Sequence, residues 1–200
     1  VFVTSPHSTT PSSNPRPLRI AILASGSGTL AQAIMDAQDE SYRVCGLVAD
    51  CDCQALERAQ SAGVSAQLVA FRPGAERTSW NQDLAQAVAD LQPDFVVSAG
   101  FMRILSPEFL ERFPRRVINT HPALLPAFPG AHAVRDALNY GVKVTGSTVH
   151  YVDEGVDTGE IIEQRAVEVR ADDTEASLHE RIKVVERQAI VDVLRQFARS

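Results

Sequence analysis

From Leu18 onward the chain alternates short β-branched runs with stretches of helical periodicity, and this alternation restricts the fold more than any other feature. Runs at 18–24, 43–49, 65–69, 94–98 and 116–119 read as strands; segments at 29–38, 54–62 and 78–91 read as helices. Strand and helix in strict turn require crossover connections, so the expected architecture is α/β: a doubly wound, mostly parallel sheet flanked by helices, of Rossmann-like type. After Lys143 the pattern changes to two longer strands, 144–152 and 161–169, followed by a last helix. Of the 200 residues 44% are hydrophobic, enough for one layered core, and a single domain is expected over 18–200. Residues 1–17 are rich in Ser, Thr and Pro and lack the basic start and apolar stretch of a signal peptide, so a disordered extension is expected there.

Several functions become poor fits at this level. No apolar run approaches the length of a membrane span. A net charge of −6 with scattered arginines argues against a nucleic-acid surface. Cys45, Cys51 and Cys53 are odd in number, which with no secretion signal suggests reduced thiols and a cytoplasmic protein. Cys51-Asp52-Cys53 hints at a metal, but no second Cys or His pair completes a ligand set, and no metal is expected. Lys143 and Lys183 are the only lysines, so an anionic ligand must be met by arginines and backbone dipoles.

In doubly wound sheets ligands bind beyond the carboxyl ends of the strands, here just after Ala24, Ser98 and Ile118. Gly26, Ser27, Gly28, Thr29 and Leu30 follow the first strand and open a helix, whose free N–H groups suit an anion. A side chain at 28 is expected to crowd those amides. The spacing also satisfies G-x-G-x-x-A, with Asp50 placed like a ribose-binding acid, so the loop alone points first to a nicotinamide dinucleotide. The narrower inference is that a phosphate binds here.

Asn119 and His121 run off the end of another strand, braced by Pro122, Pro126 and Pro129. Residues two apart on a strand share a face, roughly 6–7 Å apart, so the amide and the imidazole point into one space. Such a pair, held rigidly, suits stabilisation of a developing oxyanion.

Three ordered motifs carry a resemblance. They are Gly100-Phe101-Met102-Arg103-Ile104-Leu105-Ser106-Pro107, then Asn119-x-His121-Pro122-x-Leu124-Leu125-Pro126, then 149–159 with His150 and Asp157. Together they resemble the phosphoribosylglycinamide formyltransferases, over about residues 19–197. The resemblance implies transfer of a formyl group from 10-formyltetrahydrofolate, as co-substrate, to the amine of phosphoribosylglycinamide in purine biosynthesis. It displaces the dinucleotide reading, since in this family the glycine loop holds the substrate's 5′-phosphate. It makes Asn119, His121 and Asp157 the catalytic group. Asn119 and protonated His121 donate to the oxygen that gains charge; Asp157 supports the protonated ring and receives the amine proton, directly or through water. The same resemblance places reduced folate along Met102, Arg103, Ile104 and Leu105 and the loop Asp153, Glu154, Gly155, Val156 and Asp157. Arg103 and Arg77 are then candidates for its acidic tail, with surface ion pairing as the alternative for each.

Glu186 sits at the edge of the apolar stripe formed in the last helix by Leu178, Ile182, Val185, Ala189, Val193 and Phe197. The resemblance puts it on the ribose and amine side of the substrate; a salt bridge to Arg115 or Arg116 is the competing account. Relatives often carry Gly-Ser-Asn where this chain has Gly28-Thr29-Leu30, and Ala127 and Val134 replace polar residues of some relatives. Deformylases and methionyl-tRNA formyltransferases share the catalytic set. The short extension and the end at Ser200 are expected to leave no room for their additional domains. Monomer and homodimer both remain open.

Overall fold

Seven strands in one sheet hold the chain together, in the computed structural model that describes residues 16–72, 74 and 76–200. The strands are β1 (Leu18–Ala24), β2 (Tyr42–Ala49), β3 (Ala66–Leu68), β4 (Phe95–Ser98), β5 (Val117–His121), β6 (Val144–Tyr151) and β7 (Ile161–Glu168). Their order is β3-β2-β1-β4-β5-β6-β7. β1 to β5 are parallel, and β6 and β7 join antiparallel. This is the mixed, mostly parallel α/β sheet that the alternation required. The order reverses between β1 and β4, which opens a crevice at their carboxyl ends.

Six helices cover the faces: α1 (Thr29–Asp36), α2 (Gln54–Ser61), α3 (Arg77–Asp90), α4 (Pro107–Arg112), α5 (Ala133–Tyr140) and α6 (Glu175–Phe197). One apolar layer packs Ile20, Ile22, Val97, Ile118 and Val149 against α1, α2 and α6. The other packs Ala21, Leu23, Val96 and Val117 against α3 and α4. Strand residues alternate between the layers, because successive side chains point to opposite faces. A Thr174–Ser177 capping box starts α6, and Leu178, Ile182, Ala189 and Val193 are buried along it.

Two helices were not expected from periodicity. α4 has only six residues, too short for a repeat to show, although Ser106 caps it with Pro107 at its first turn, and α5 follows shortly on the proline-rich segment 122–130. Of the expected extension, residues 1–15 lie outside the described residues. Arg16, placed in it as well, is instead fixed by a fork of two 2.8 Å bonds to Asp94. No described helix is long and apolar enough to cross a membrane.

Candidate active site

The glycine loop leaves β1 at the reversal point. Gly28 is left-handed (φ 69) and serves as N-cap of α1 without any side-chain cap, so the first-turn N–H groups keep no side-chain partner. Gly26 and Ser27 are exposed, whereas the Leu30 side chain is buried in the core, which confines position 30 to a backbone contribution. Thr29 is half-buried. Arg58 on α2 holds the loop through a 2.7 Å bond from Nε to the Ser27 carbonyl. The reason for glycine at 28 differs from the one expected: a Cβ there would lie 2.7 Å from Cα and Cβ of Ala55, on α2. The constraint is packing on α2, and it is Gly26 that has open space around it.

Asp50 ends β2 where a dinucleotide's ribose acid would stand, but it is 1% exposed, and its Oδ2 takes a 2.7 Å ion pair from Arg103 Nε. It offers no carboxylate to a ribose. Arg103 and Arg77 lie against Phe71, 4.9 and 5.0 Å from the ring centre, and Arg77 also donates to the Ile104 carbonyl. Along 102–105 the side chains alternate: Met102 and Ile104 are exposed, while Arg103 turns to Asp50 and Leu105 enters the core. The Met102 N–H donates to Ser25 Oγ, tying this segment to the glycine loop.

β5 delivers Asn119 and His121, and β6 runs beside it with His150 paired to Asn119. The His150 Nδ1 faces the Tyr151 carbonyl at 2.9 Å, an acceptor, so Nδ1 carries the hydrogen. Its Nε2 then accepts from the Asn119 amide at 3.3 Å, which fixes which way Asn119 is turned. Burial pushes the His150 imidazole down from its ordinary value, with Asp157 among the opposing influences, consistent with a neutral ring.

His121 is 4% exposed. Its Nε2 donates to the Phe128 carbonyl at 2.7 Å, and its Nδ1 lies 3.3 Å from Asp157 Oδ2. With Nε2 engaged, Nδ1 is the nitrogen left for another acceptor. Asp157 is a largely covered acid: Oδ2 also takes the Gly130 N–H at 2.8 Å, and Oδ1 lies 3.7 Å from His150 Nε2. Asp153 shapes the same loop by accepting from Gly155 N–H and Thr158 Oγ1, and 154–156 are exposed.

Glu186 finds neither arginine. Arg115 pairs with Glu160, and Arg116 donates to the Pro93 and Arg112 carbonyls. Its partner is Thr120, whose hydroxyl donates to Oε1 at 2.7 Å. Among the described residues no three His, Cys, Asp or Glu side chains are placed to hold a metal ion. Burial, reinforced by Asp50 and Cys53, pushes the Cys51 thiol up to about 11, against thiolate chemistry there.

A carboxylate beside an imidazole, next to an amide whose orientation is locked, and a phosphate-type loop at the same sheet end can together bind an anion and stabilise charge on an acyl oxygen. Residues 18–194 match the family described as Formyl transferase. The chain belongs to this family. A formyl transferase from Mycobacterium tuberculosis (strain ATCC 25618 / H37Rv), phosphoribosylglycinamide formyltransferase, is 52% identical over 177 residues, 88% of this chain and 82% of the relative. Glycinamide ribonucleotide transformylase 1 from Symbiobacterium toebii superposes with a TM-score of 0.87 at 43% identity, covering 92% of this chain and 88% of that one. The protein of the same description from Geobacillus kaustophilus gives 0.86 at 38%, covering 92% and 100%.

In this formyl transferase, sequence reasoning left three contacts unassigned. His150 belongs to the 149–159 motif, but its place opposite Asn119 follows only from the antiparallel pairing of β6 with β5. Phe128 acts through its carbonyl, which no side-chain pattern announces. Thr120 lies between the two residues that drew attention, on the opposite face of the strand. Val134 is buried with Leu178 and Ile182, so its apolar character serves the core.

Proposed function

We propose that this formyl transferase moves the formyl group of 10-formyltetrahydrofolate to the amine of phosphoribosylglycinamide, a step of de novo purine biosynthesis. The observation that carries the reading is the joined cluster Asn119–His150–Asp157–His121 at the end of β5, within a chain similar over its length to enzymes of that name.

Asn119 has a second amide hydrogen beyond the one given to His150, and that hydrogen donates to the formyl oxygen as it gains charge. His121 contributes its Nδ1–H to the same oxygen, sharing it with Asp157, because Nε2 is held by Phe128. At 3.3 Å the Nδ1–Asp157 contact is longer than a tight charge-assisted bond, about 2.7–2.9 Å, so an arriving oxygen competes for it. Asp157 accepts the proton that the attacking amine loses and passes it to the folate nitrogen as the bond between that nitrogen and the formyl carbon breaks, so tetrahydrofolate leaves. The first-turn amides of α1, with Gly26, Ser27, Gly28, Thr29 and Leu30, hold the substrate phosphate. Glu186 faces its ribose and amine.

Reduced folate supplies the formyl group, and the residues present suit it. Exposed Met102, Ile104 and Val156 offer apolar surface to a flat ring, and Arg77 and Arg103 offer positive charge to an acidic tail. Arg103 does so while committed to Asp50, so Arg77 is the freer cation of the two. We place the protein in the cytoplasm, acting on small molecules as one domain over 18–200.

The test is an assay for tetrahydrofolate release with phosphoribosylglycinamide present and absent. Turnover that needs the ribonucleotide supports the transferase. Turnover without it assigns a deformylase, and no turnover with either refutes the reading.

A further inference from the structure

We infer that Thr120 is a positioning residue for the amine-bearing substrate: its hydroxyl holds one oxygen of Glu186 so that the other is presented to the ligand. The inference rests on the reading of Glu186 given above. Thr120 sits in β5 between Asn119 and His121, so its backbone is fixed by the strand that carries the catalytic pair. Its side chain, 9% exposed, turns to the opposite face and meets α6. Oγ1 donates to Glu186 Oε1 at 2.7 Å. Oε2 takes no hydrogen bond among the described residues and is not sealed from solvent, so one lone-pair edge is free while the carboxylate as a whole is tethered.

A glutamate on a helix samples several rotamers, and choosing one on binding costs affinity. Here the choice is made beforehand by a bond from a rigid strand. The hydroxyl also helps keep the acid ionised. Burial pushes the Glu186 carboxyl up from its ordinary value, and the Thr120 bond is the foremost influence against that, followed by Arg187, Lys183 and His121. The first two charges stand on α6 itself and the third on β5. Of the other elements packed on α6, β7 presents Arg165, paired with Glu163 and with Asp192 of α6 itself, while α1 contributes Leu30, Ala31 and Ile34 and α5 contributes Val134 and Leu138. On β6, Thr145, Ser147 and Val149 share the Thr120 face.

The experiment compares wild type, Thr120→Val, Thr120→Ala and Thr120→Ser in steady-state kinetics from pH 5 to about 9. Losing one bond to a charged group predicts a rise of about tenfold or more in KM for phosphoribosylglycinamide in the valine and alanine variants. Their kcat and folate KM stay within about twofold of wild type. The acid limb of kcat/KM for the ribonucleotide moves to higher pH, since Glu186 loses an interaction favouring its charged form. Thr120→Ser restores both. An unchanged ribonucleotide KM and limb in either hydroxyl-free variant overturns the inference, as does a serine variant that behaves like valine. Using two hydroxyl-free variants keeps the test decisive if one fails to fold. A wild type that forms no formylated ribonucleotide overturns the functional reading itself, before any variant is compared.

Discussion

Replacing Gly28 by alanine and, separately, Gly26 by alanine divides what the glycine loop does for the fold from what it does for a ligand. At Gly28 the new side chain meets two obstacles. The residue is left-handed at φ 69, which costs an L side chain about 1 kcal/mol. The added Cβ lies 2.7 Å from Cα and Cβ of Ala55, atoms of α2 that cannot rotate away, and overpacking of this kind costs about 1–3 kcal/mol. The sum is about 2–4 kcal/mol, or a fall of roughly 4–16 °C in Tm for a chain of this size. At Gly26 an added Cβ would have no neighbouring atom within 4 Å and the backbone is not left-handed, so stability should stay within about 0.5 kcal/mol. The proposed function puts the substrate phosphate in that open space. Obstructing one charge-assisted bond should raise KM for phosphoribosylglycinamide by about tenfold or more while leaving the folate KM alone. Thermal unfolding and two-substrate kinetics on both variants supply the readouts. A Gly28→Ala protein with wild-type Tm refutes the packing account. A Gly26→Ala protein with unchanged ribonucleotide KM, or with both substrates weakened equally, refutes the phosphate assignment.

The remaining expectations concern His121, Asp157 and Arg103. His121→Ala should lower kcat about 10²–10³-fold with little change in either KM, measured at saturating substrates; a variant retaining a third of wild-type kcat removes His121 from the chemistry. Asp157→Asn should lower kcat by about 10²-fold or more, and it should push the His150 imidazole further down, because Asp157 is one of the influences holding it up. A depressed folded-state histidine favours the native protein above the unfolded value of about 6.5, so the variant should lose more stability than wild type as pH falls through 6.5. Ring-proton NMR and denaturant unfolding check the two halves, and an unchanged or higher His150 titration contradicts them. Arg103→Ala should destabilise the fold by about 3–5 kcal/mol by leaving the covered Asp50 carboxylate unpaired, and Asp50→Asn in the same chain should recover most of that loss in a denaturation series.

The sequence disclosed the layers through its alternation, and the strands read at 18–24 and 144–152 lie almost where the structure has them. It disclosed less about pairing. Residues 144–152 and 161–169 were legible as strands, but their antiparallel direction depends on the turn at 152–160, whose geometry comes from the Asp153 bonds and the left-handed Asp157. The catalytic candidates were legible for a related reason: a strand places residues two apart on one face, so Asn119 and His121 could be paired without tertiary knowledge. For Glu186 the sequence offers Arg115 and Arg116 as partners, but both are engaged elsewhere. Its hydrogen-bond partner is the neutral Thr120 of β5. Asp50 matches a dinucleotide pattern because only structure shows its carboxylate buried, with Oδ2 paired to Arg103.

Asp157 is left-handed, with φ 55, in the loop that carries it over His121. That conformation narrows the routes by which this position can change over generations. Asparagine fits the shape almost as well as aspartate but brings no charge, whereas glutamate keeps the charge on a residue less at home with positive φ. A lineage drifting at 157 therefore meets either loss of the acid or distortion of the loop, which also takes the Gly130 N–H. New specificities in this scaffold should accordingly arise around the position, at exposed neighbours such as Glu154 and Val156, while 157 itself stays fixed.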